Sequence, residues 1–210
     1  PALNVTSIIY SENEAAFLAG YSAALATKSG RVAMVTTPSN ADGYENGFLL
    51  GVSAAKKNVR SFVKYTATES VVSARALIRL GIDVIYDATT GSADRLFEAI
   101  VKANTSKNRK KNSPEVNLII SEPDLYLSVT PSTSKYLIAS VVKRVDIAVS
   151  AIIGKAVNNS QLSDVIDAKA GIYGHRYGIG DKGIEIVIKS KALAAQTAAI
   201  NAAASAAYAD

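Results

Sequence analysis

The sequence predicts an α/β protein: a Rossmann-like three-layer lobe on a parallel sheet, with the remnant of a second lobe and an Ala-rich C-terminal helix. Three observations predict it. Short β-branched runs alternate with apolar-faced helical segments through residues 31–142. The links between them are short and carry glycine stops. After residue 155 the rhythm breaks, first into a glycine-spaced stretch and then into alanine. Strand–helix alternation with short links makes right-handed βαβ units, whose sheet is parallel and covered on both faces.

Each element has its own reason. Residues 4–9 (NVTSII) read as a strand. Ser11-Glu12-Asn13-Glu14 then reads as a capping box, with the Ser11 hydroxyl accepting the Glu14 N–H and the Glu14 carboxylate reaching back to the Ser11 N–H. The helix it starts runs to residue 29, with Phe17, Leu18, Tyr21 and Leu25 on one side. Its alanines and Gly20 permit close packing, and Gly30 fits a left-handed stop. Residues 31–36 are a strand, 38–43 a turn-rich loop and 44–57 a helix with Phe48, Val52 and Ala55 at helical spacing. A strand at 59–65, a helix at 69–80 ended by Gly81 and a buried strand at 82–86 follow. The loop 87–93 leads into a helix to residue 104. Strands at 115–120 and 136–142 and a helix at 144–155 complete the alternation, with four crossovers between 31 and 142. Residues 172–177 and 184–188 flank the Gly-rich stretch 178–183 and read as a hairpin. Residues 192–207 form helix readily but offer little to bury, so that helix is expected to need a partner or an exposed setting.

Composition closes several routes. The chain has 210 residues, 49% hydrophobic and 20% charged, which excludes a disordered chain. Cysteine is absent, so disulfides, thiolate catalysis, iron–sulfur clusters and thiolate zinc sites are excluded. The single histidine, His175, excludes a multi-histidine metal site, and no metal or cofactor is expected. The net charge of +5 is mild, and its densest run, Lys107, Arg109, Lys110 and Lys111, reads as a solvated loop, so no nucleic-acid partner is expected. No run of about 18 apolar residues is present to form a transmembrane helix. Avoidance of cysteine suits an extracytoplasmic protein. No G-x-G-x-x-G follows a strand, and neither a P-loop nor a G-x-S-x-G occurs. His175 sits in an alternating stretch, as a core or surface residue does. Glu122 and Asp124 are suited to acid–base work, but nothing supplies a matching nucleophile. The reading is of a protein that is not an enzyme.

Ligands of open parallel sheets bind at the carboxyl ends of the strands. Those ends carry Thr36-Thr37-Pro38-Ser39-Asn40, Tyr65-Thr66-Ala67-Thr68, Asp87-Ala88-Thr89-Thr90-Gly91-Ser92, Ser121-Glu122-Pro123-Asp124 and Lys143-Arg144. Hydroxyls, carboxylates and a lysine on one rim suit a polyhydroxylated ligand such as a sugar or nucleoside. Helix capping by the same residues is the competing explanation.

Four stretches carry a family resemblance: NVTSIIYSENEAAFLAGYSAALATKSGRVAMV at 4–35, NGFLLGV at 46–52, GIDVIYDATTG at 81–91 and SVVKRVDIAV at 140–149. Together they resemble the basic membrane protein family of nucleoside-type solute-binding lipoproteins that serve ABC importers. The resemblance runs from residue 4 to 188 and leaves the Ala-rich tail outside. It implies a fold like the type I periplasmic binding proteins, a two-lobed clamshell with ligand in the cleft. It implies that Glu122 and Asp124 stand where the family places ribose-binding carboxylates, that Lys143 is its lysine after the last strand of this lobe, and that Thr90-Gly91 belongs to its glycine-rich ligand loop. Tyr65 is the candidate aromatic against the base. Two departures bear on the pocket: Thr36-Thr37 replaces Gly-Gly, and Asp87-Ala88-Thr89 replaces Ala-Gly-Gly, removing glycines that let backbone approach a ligand closely.

The resemblance also implies that the chain begins well inside such a protein. Residues 1–29 are then the remnant of the N-terminal lobe, 30–143 a complete α/β lobe, 144–191 a return to the first lobe by helix and hairpin, and 192–210 a tail. The opening strand would lack sheet neighbours, so a partner is expected: the missing N-terminal segment, or further copies of the chain joined through an open sheet edge. The expected function is an extracytoplasmic solute-binding protein, in the periplasm, at the cell surface or secreted, taking a nucleoside or similar polyhydroxylated molecule and engaging an ABC permease. The alternative is an extracellular structural or assembly protein, a filament or surface scaffold, that reuses the fold.

Overall fold

A computed structural model describes residues 5–55, 58–66, 70–89, 94–121, 129–162, 164–167, 169 and 171–208. In chain order its elements are β1 (Ser7–Tyr10), α1 (Glu12–Ala26), β2 (Arg31–Thr36), α2 (Ala41–Ala54), β3 (Arg60–Tyr65), α3 (Ser70–Arg79), β4 (Val84–Ala88), α4 (Asp94–Thr105), β5 (Asn117–Ser121) and β6 (Leu137–Lys143). These are followed by α5 (Val145–Val157), β7 (Asp164–Asp167), β8 (Ile172–Tyr177), β9 (Ile184–Ile188), α6 (Lys191–Ala194) and α7 (Thr197–Ala207). A six-stranded sheet has the order β3-β2-β4-β5-β6-β9. Its first five strands are parallel, and β9 runs antiparallel to β6. A separate three-stranded sheet has the order β1-β8-β7.

Alternation along the strands splits the core of the large sheet in two. Val32, Met34, Val84, Tyr86 and Ile119 face α1 and α2. Ala33, Val35, Ile85, Leu118 and Ile120 face α3 and α4, where Ala74, Leu77, Leu96 and Ile100 meet them. The doubly covered parallel sheet expected from the sequence is therefore present.

Helix α1 is apolar around most of its circumference, as befits a helix surrounded by protein. Ala15, Ala16, Phe17, Leu18, Ala19, Ala23 and Ala24 are all buried. It lies on the six-stranded sheet and against α2, where backbones nearly touch. A Cβ on Gly51 would lie 2.3 Å from the Phe17 carbonyl oxygen, and one on Gly20 would lie 2.2 Å from that of Phe48. The small residues noted in the sequence are what permit this approach.

Four local expectations are corrected. The capping box does not form: Ser11 makes no side-chain cap, its N–H donates to the Tyr177 carbonyl at 3.0 Å, and Glu14 Oε2 accepts the Ile179 N–H at 2.6 Å. A tertiary donor has taken the carboxylate. Strands β8 and β9 are not a hairpin, because β8 pairs with β1 and β7 while β9 pairs with β6. The Gly-rich stretch is thus a passage between two sheets. The opening strand is not without a neighbour: β1 runs parallel to β8, with Ser7 opposite Gly174 and Tyr10 opposite Tyr177. The Ala-rich tail finds its setting within the chain. Ile200 and Ala204 of α7 are buried, the Tyr208 ring meets Phe17 edge-on at 5.6 Å, and its hydroxyl donates to the Asn13 carbonyl.

The link from α1 to β2 is held by one carboxylate. Asp83, 3% exposed, accepts the Thr27 hydroxyl at 2.5 Å, the Lys28 and Ser29 N–H groups at 2.7 and 2.8 Å, and the Ser29 hydroxyl at 2.9 Å. Removing it would orphan donors that the fold has already desolvated. Asp83→Ala should lower the unfolding free energy by about 3 kcal/mol, read from the urea midpoint at unchanged slope, with Asp83→Asn recovering only part.

Candidate ligand site at the strand ends

Because β2 to β6 are parallel, Thr36, Tyr65, Ala88, Ser121 and Lys143 end on one rim, outside which ligands of such sheets bind. The chain passes between the two sheets three times: at Ser11, at Arg144, and through residues 178–183. These passages are tied together. The Ser11 and Glu14 bonds join the first to the third, and the Arg144 N–H donates to the Gly183 carbonyl at 2.8 Å, joining the second to the third. The Arg144 guanidinium also holds Asp146 through two bonds of 2.9 and 2.7 Å, and Glu185 through one of 2.6 Å. The Asp146 carboxyl is accordingly held down at about 2, chiefly by the hydrogen bonds from Arg144.

Lys143 stands at the end of β6, half-buried. Its ammonium is 3.8 Å from the Glu12 carboxylate and 5.8 Å from the centre of the Tyr10 ring. Deeper in, the Tyr86 and Ser121 hydroxyls lie 2.5 Å apart across β4 and β5, and Phe48 stacks on the Tyr86 ring at 5.9 Å. Burial, then the proximity of Tyr44, Asp87 and Glu12, pushes the Tyr86 hydroxyl well above its ordinary pKa, against a smaller opposing effect of the Ser121 bond. Tyr86 therefore stays a neutral hydroxyl.

Asp87, next to last in β4, is 2% exposed. Its Oδ1 accepts both the N–H and the hydroxyl of Thr89, at 3.0 and 2.7 Å. Its Oδ2 is buried and has no hydrogen-bond partner among the described residues. Burial raises its pKa, and the Thr89 bonds offset only part of that.

Of the residues singled out in the sequence, Lys143 joins this cluster. Tyr65 stands apart: it ends β3, is 42% exposed, and donates its hydroxyl to Glu45 of α2. The sheet order places β3 four strand spacings from β6, roughly 19 Å, so Tyr65 and Lys143 flank the rim. Thr90, Gly91, Glu122 and Asp124 lie outside the described residues. The sequence reading missed Tyr10, Glu12 and Tyr86. Tyr10 and Glu12 were hidden by being read only as the lead-in to a helix, and Tyr86 as strand core. Their signal is positional, a polar group at the end of a strand that borders the cleft.

Other features stand outside the Lys143 cluster, the first of them beside the third passage. His175 is 3.6 Å from Asp181 and edge-on to Tyr177. Among the described residues no group of three acidic, histidine or cysteine side chains is placed to hold a metal, and no helix is long and apolar enough to cross a membrane. A cavity of about 350 Å³ lies at the opposite pole of the large sheet, between Gly81, Asn104, Arg109 and Val116.

The architecture is that of the type I periplasmic-binding-protein-like folds, α/β with a parallel sheet. A transcriptional activator of the comK gene from Bacillus halodurans superposes with a TM-score of 0.66 at 16% identity, over 97% of this chain and 66% of that one. The family model described as ABC transporter substrate-binding protein, PnrA-like, matches residues 2–205, so the chain belongs to that family, the Bmp family. The match extends into the Ala-rich tail, beyond the limit the sequence reading set. The ABC transporter nucleoside-binding protein BmpA of Lactococcus lactis subsp. cremoris is 27% identical over 161 residues, 72% of this chain and 46% of the relative. A CD4+ T-cell-stimulating antigen of Listeria innocua is 32% identical over 160 residues, 70% of this chain and 43% of the relative. The chain thus matches less than half the length of these curated relatives.

The Asp87 carboxyl sets a pH dependence. Its folded pKa is raised above the ordinary 3.8, so its stabilising contribution is complete below that value and is lost as pH rises through the raised one. Urea melts should therefore show wild type losing stability relative to Asp87→Asn from about pH 4 towards neutrality, and a constant difference would contradict the assignment.

Proposed function

We propose that the chain acts as an extracytoplasmic solute-binding protein of an ABC importer, taking a nucleoside-type ligand and catalysing no reaction. The observation that carries this is the place of Lys143: at the carboxyl end of a parallel strand, beside a passage between the two sheets, over Tyr10 and against Glu12. The family match and the name of the Lactococcus relative support it. In this reading Lys143 donates to a ligand ether or hydroxyl oxygen. Glu122 and Asp124 accept ribose hydroxyls, and Thr90-Gly91 offers backbone. Tyr65, at the far edge of the sheet and bonded to Glu45, is not placed to reach a nucleoside held by Lys143. Binding draws the two sheets together about the three passages, and the closed form is what a permease recognises. The relatives give no support to a filament or surface scaffold.

The small sheet supports a partner. Among the described residues β1 has one strand neighbour. On α5, Val145, Val149, Ile153 and Val157 recur every fourth residue and are 42–75% exposed, so they form one bare stripe. Further polypeptide is proposed to cover it, either another segment of the same protein or a second copy.

Adenosine, guanosine, inosine and uridine should each be tested by thermal shift. A ligand at a hundred times its Kd adds about 2.7 kcal/mol of stability; Lys143→Met should abolish most of the shift, and no response from any nucleoside would overturn the reading. The stripe should bind an apolar fluorescent dye, and Val149→Ser with Ile153→Ser should cut that signal while leaving the melting temperature nearly unchanged.

A further inference from the structure

Resting on that reading, we propose that Asp87 is an additional ligand-contacting residue, whose buried Oδ2 accepts a hydrogen bond from an N–H or O–H donor of the bound molecule. Three observations meet at this residue. It stands at the carboxyl end of the central strand β4, between β2 and β5, opposite Val35 and Ile120, where open parallel sheets form their binding crevice. Its side chain is shut away from water at 2% exposure. Among the described residues only one of its two oxygens is used: Oδ1 is fixed by the two Thr89 bonds, which also fix the orientation of the carboxyl group, and Oδ2 has no partner.

A buried acceptor left unpaired is a cost that most native structures avoid. Asp83, the other carboxylate buried to this degree among the described residues, shows the usual solution, with both oxygens accepting donors. Asp87 differs in standing at the open end of the sheet. A ligand donor would complete it, and a carboxylate acceptor makes the stronger, charge-assisted type of bond. The ligand class selected is one that presents an amino, imino or hydroxyl donor to β4 as well as hydroxyls to the rest of the rim. The same geometry selects against a ligand with only acceptors on that edge, which would set a second unpaired oxygen against Oδ2.

The two states of the protein then respond to substitution in opposite directions. Without ligand, Asp87→Asn, which keeps an oxygen for the two Thr89 bonds, should raise the melting temperature at neutral pH, because it removes an unpaired buried charge; Asp87→Leu also deprives Thr89 of its acceptor and serves only for the binding measurement. With guanosine, adenosine, inosine or uridine, whichever shifts the wild type most, both variants should weaken binding at least tenfold by isothermal calorimetry. An apo melting temperature lowered by Asp87→Asn would overturn the proposal by showing the carboxylate to be satisfied. Undiminished affinity in both variants would overturn it as well, while leaving the solute-binding reading intact. A wild type that no nucleoside stabilises would overturn both.

Discussion

The fastening of the Ile179 N–H to the Glu14 carboxylate is the contact on which the geometry of the rim depends. A chain that leaves one sheet for another gives up ladder hydrogen bonds, and its backbone must find other partners. At the same place α1 begins, with N–H groups that have no partner inside the helix. A glutamate here can serve its own helix or the neighbouring passage, and Glu14 serves the passage. The first turn of α1 is thereby tied to the third passage, and Glu12, on the same turn, is positioned 3.8 Å from Lys143. The bond of Ser11 to Tyr177 repeats the tie one step earlier. Packing of α1 beneath the large sheet, against α2 and under α7, makes that turn a firm base rather than a frayed helix end.

Two adjacent cations on this base are held in different ways. Arg144 makes short bonds to Asp146 and Glu185 in a forked arrangement, which fits a guanidinium and fixes its position. Lys143 is related to Glu12 at 3.8 Å, beyond a good hydrogen bond, and its ammonium lies near an aromatic face. A looser pair of this kind contributes little to stability. Beneath it Tyr86 and Ser121 add neutral hydroxyls whose protonation burial keeps constant. The rim therefore sets a half-buried ammonium above a pair of buried neutral hydroxyls that bond to each other.

The large sheet was legible because its signals are local: β-branched runs, helical spacing in α2, and a left-handed glycine after α3, where Gly81 has φ +79°. What was not legible depends on partners distant in sequence. Nothing in residues 172–188 reveals that β8 and β9 belong to different sheets, since the alternation that forms a hairpin is the same alternation that serves two separate pairings. The capping box at Ser11 was overridden by a donor 165 residues away. The tail was read as having little to bury because the surface that receives Ile200 and Ala204 lies on α1. For the site, the fold rule located the rim, and Lys143 with it. The sequence order of strands, however, differs from their spatial order, and that is why Tyr65, on the third strand in sequence, stands at the edge of the sheet.

The two sheets differ in how completely they are covered, and the difference is physical rather than a matter of size. Both faces of the large sheet are packed, and its strands β2, β4 and β5 are buried along most of their length, while the edge strand β3 is half-buried to exposed. The helix that follows Lys143 buries little beyond Ala148 while its valines and Ile153 face outward. Side chains of this kind scattered singly need no explanation, but an aligned stripe does. The stripe begins two residues from Lys143, so whatever covers α5 also sits next to the rim. Cover and ligand would then be coupled: a segment packed on α5 would position the wall opposite Lys143, and a ligand held between them would draw on contacts from both sides. On the proposed reading, the covering of the small sheet would bear on ligand binding, because the three passages tie that sheet to the strand ends.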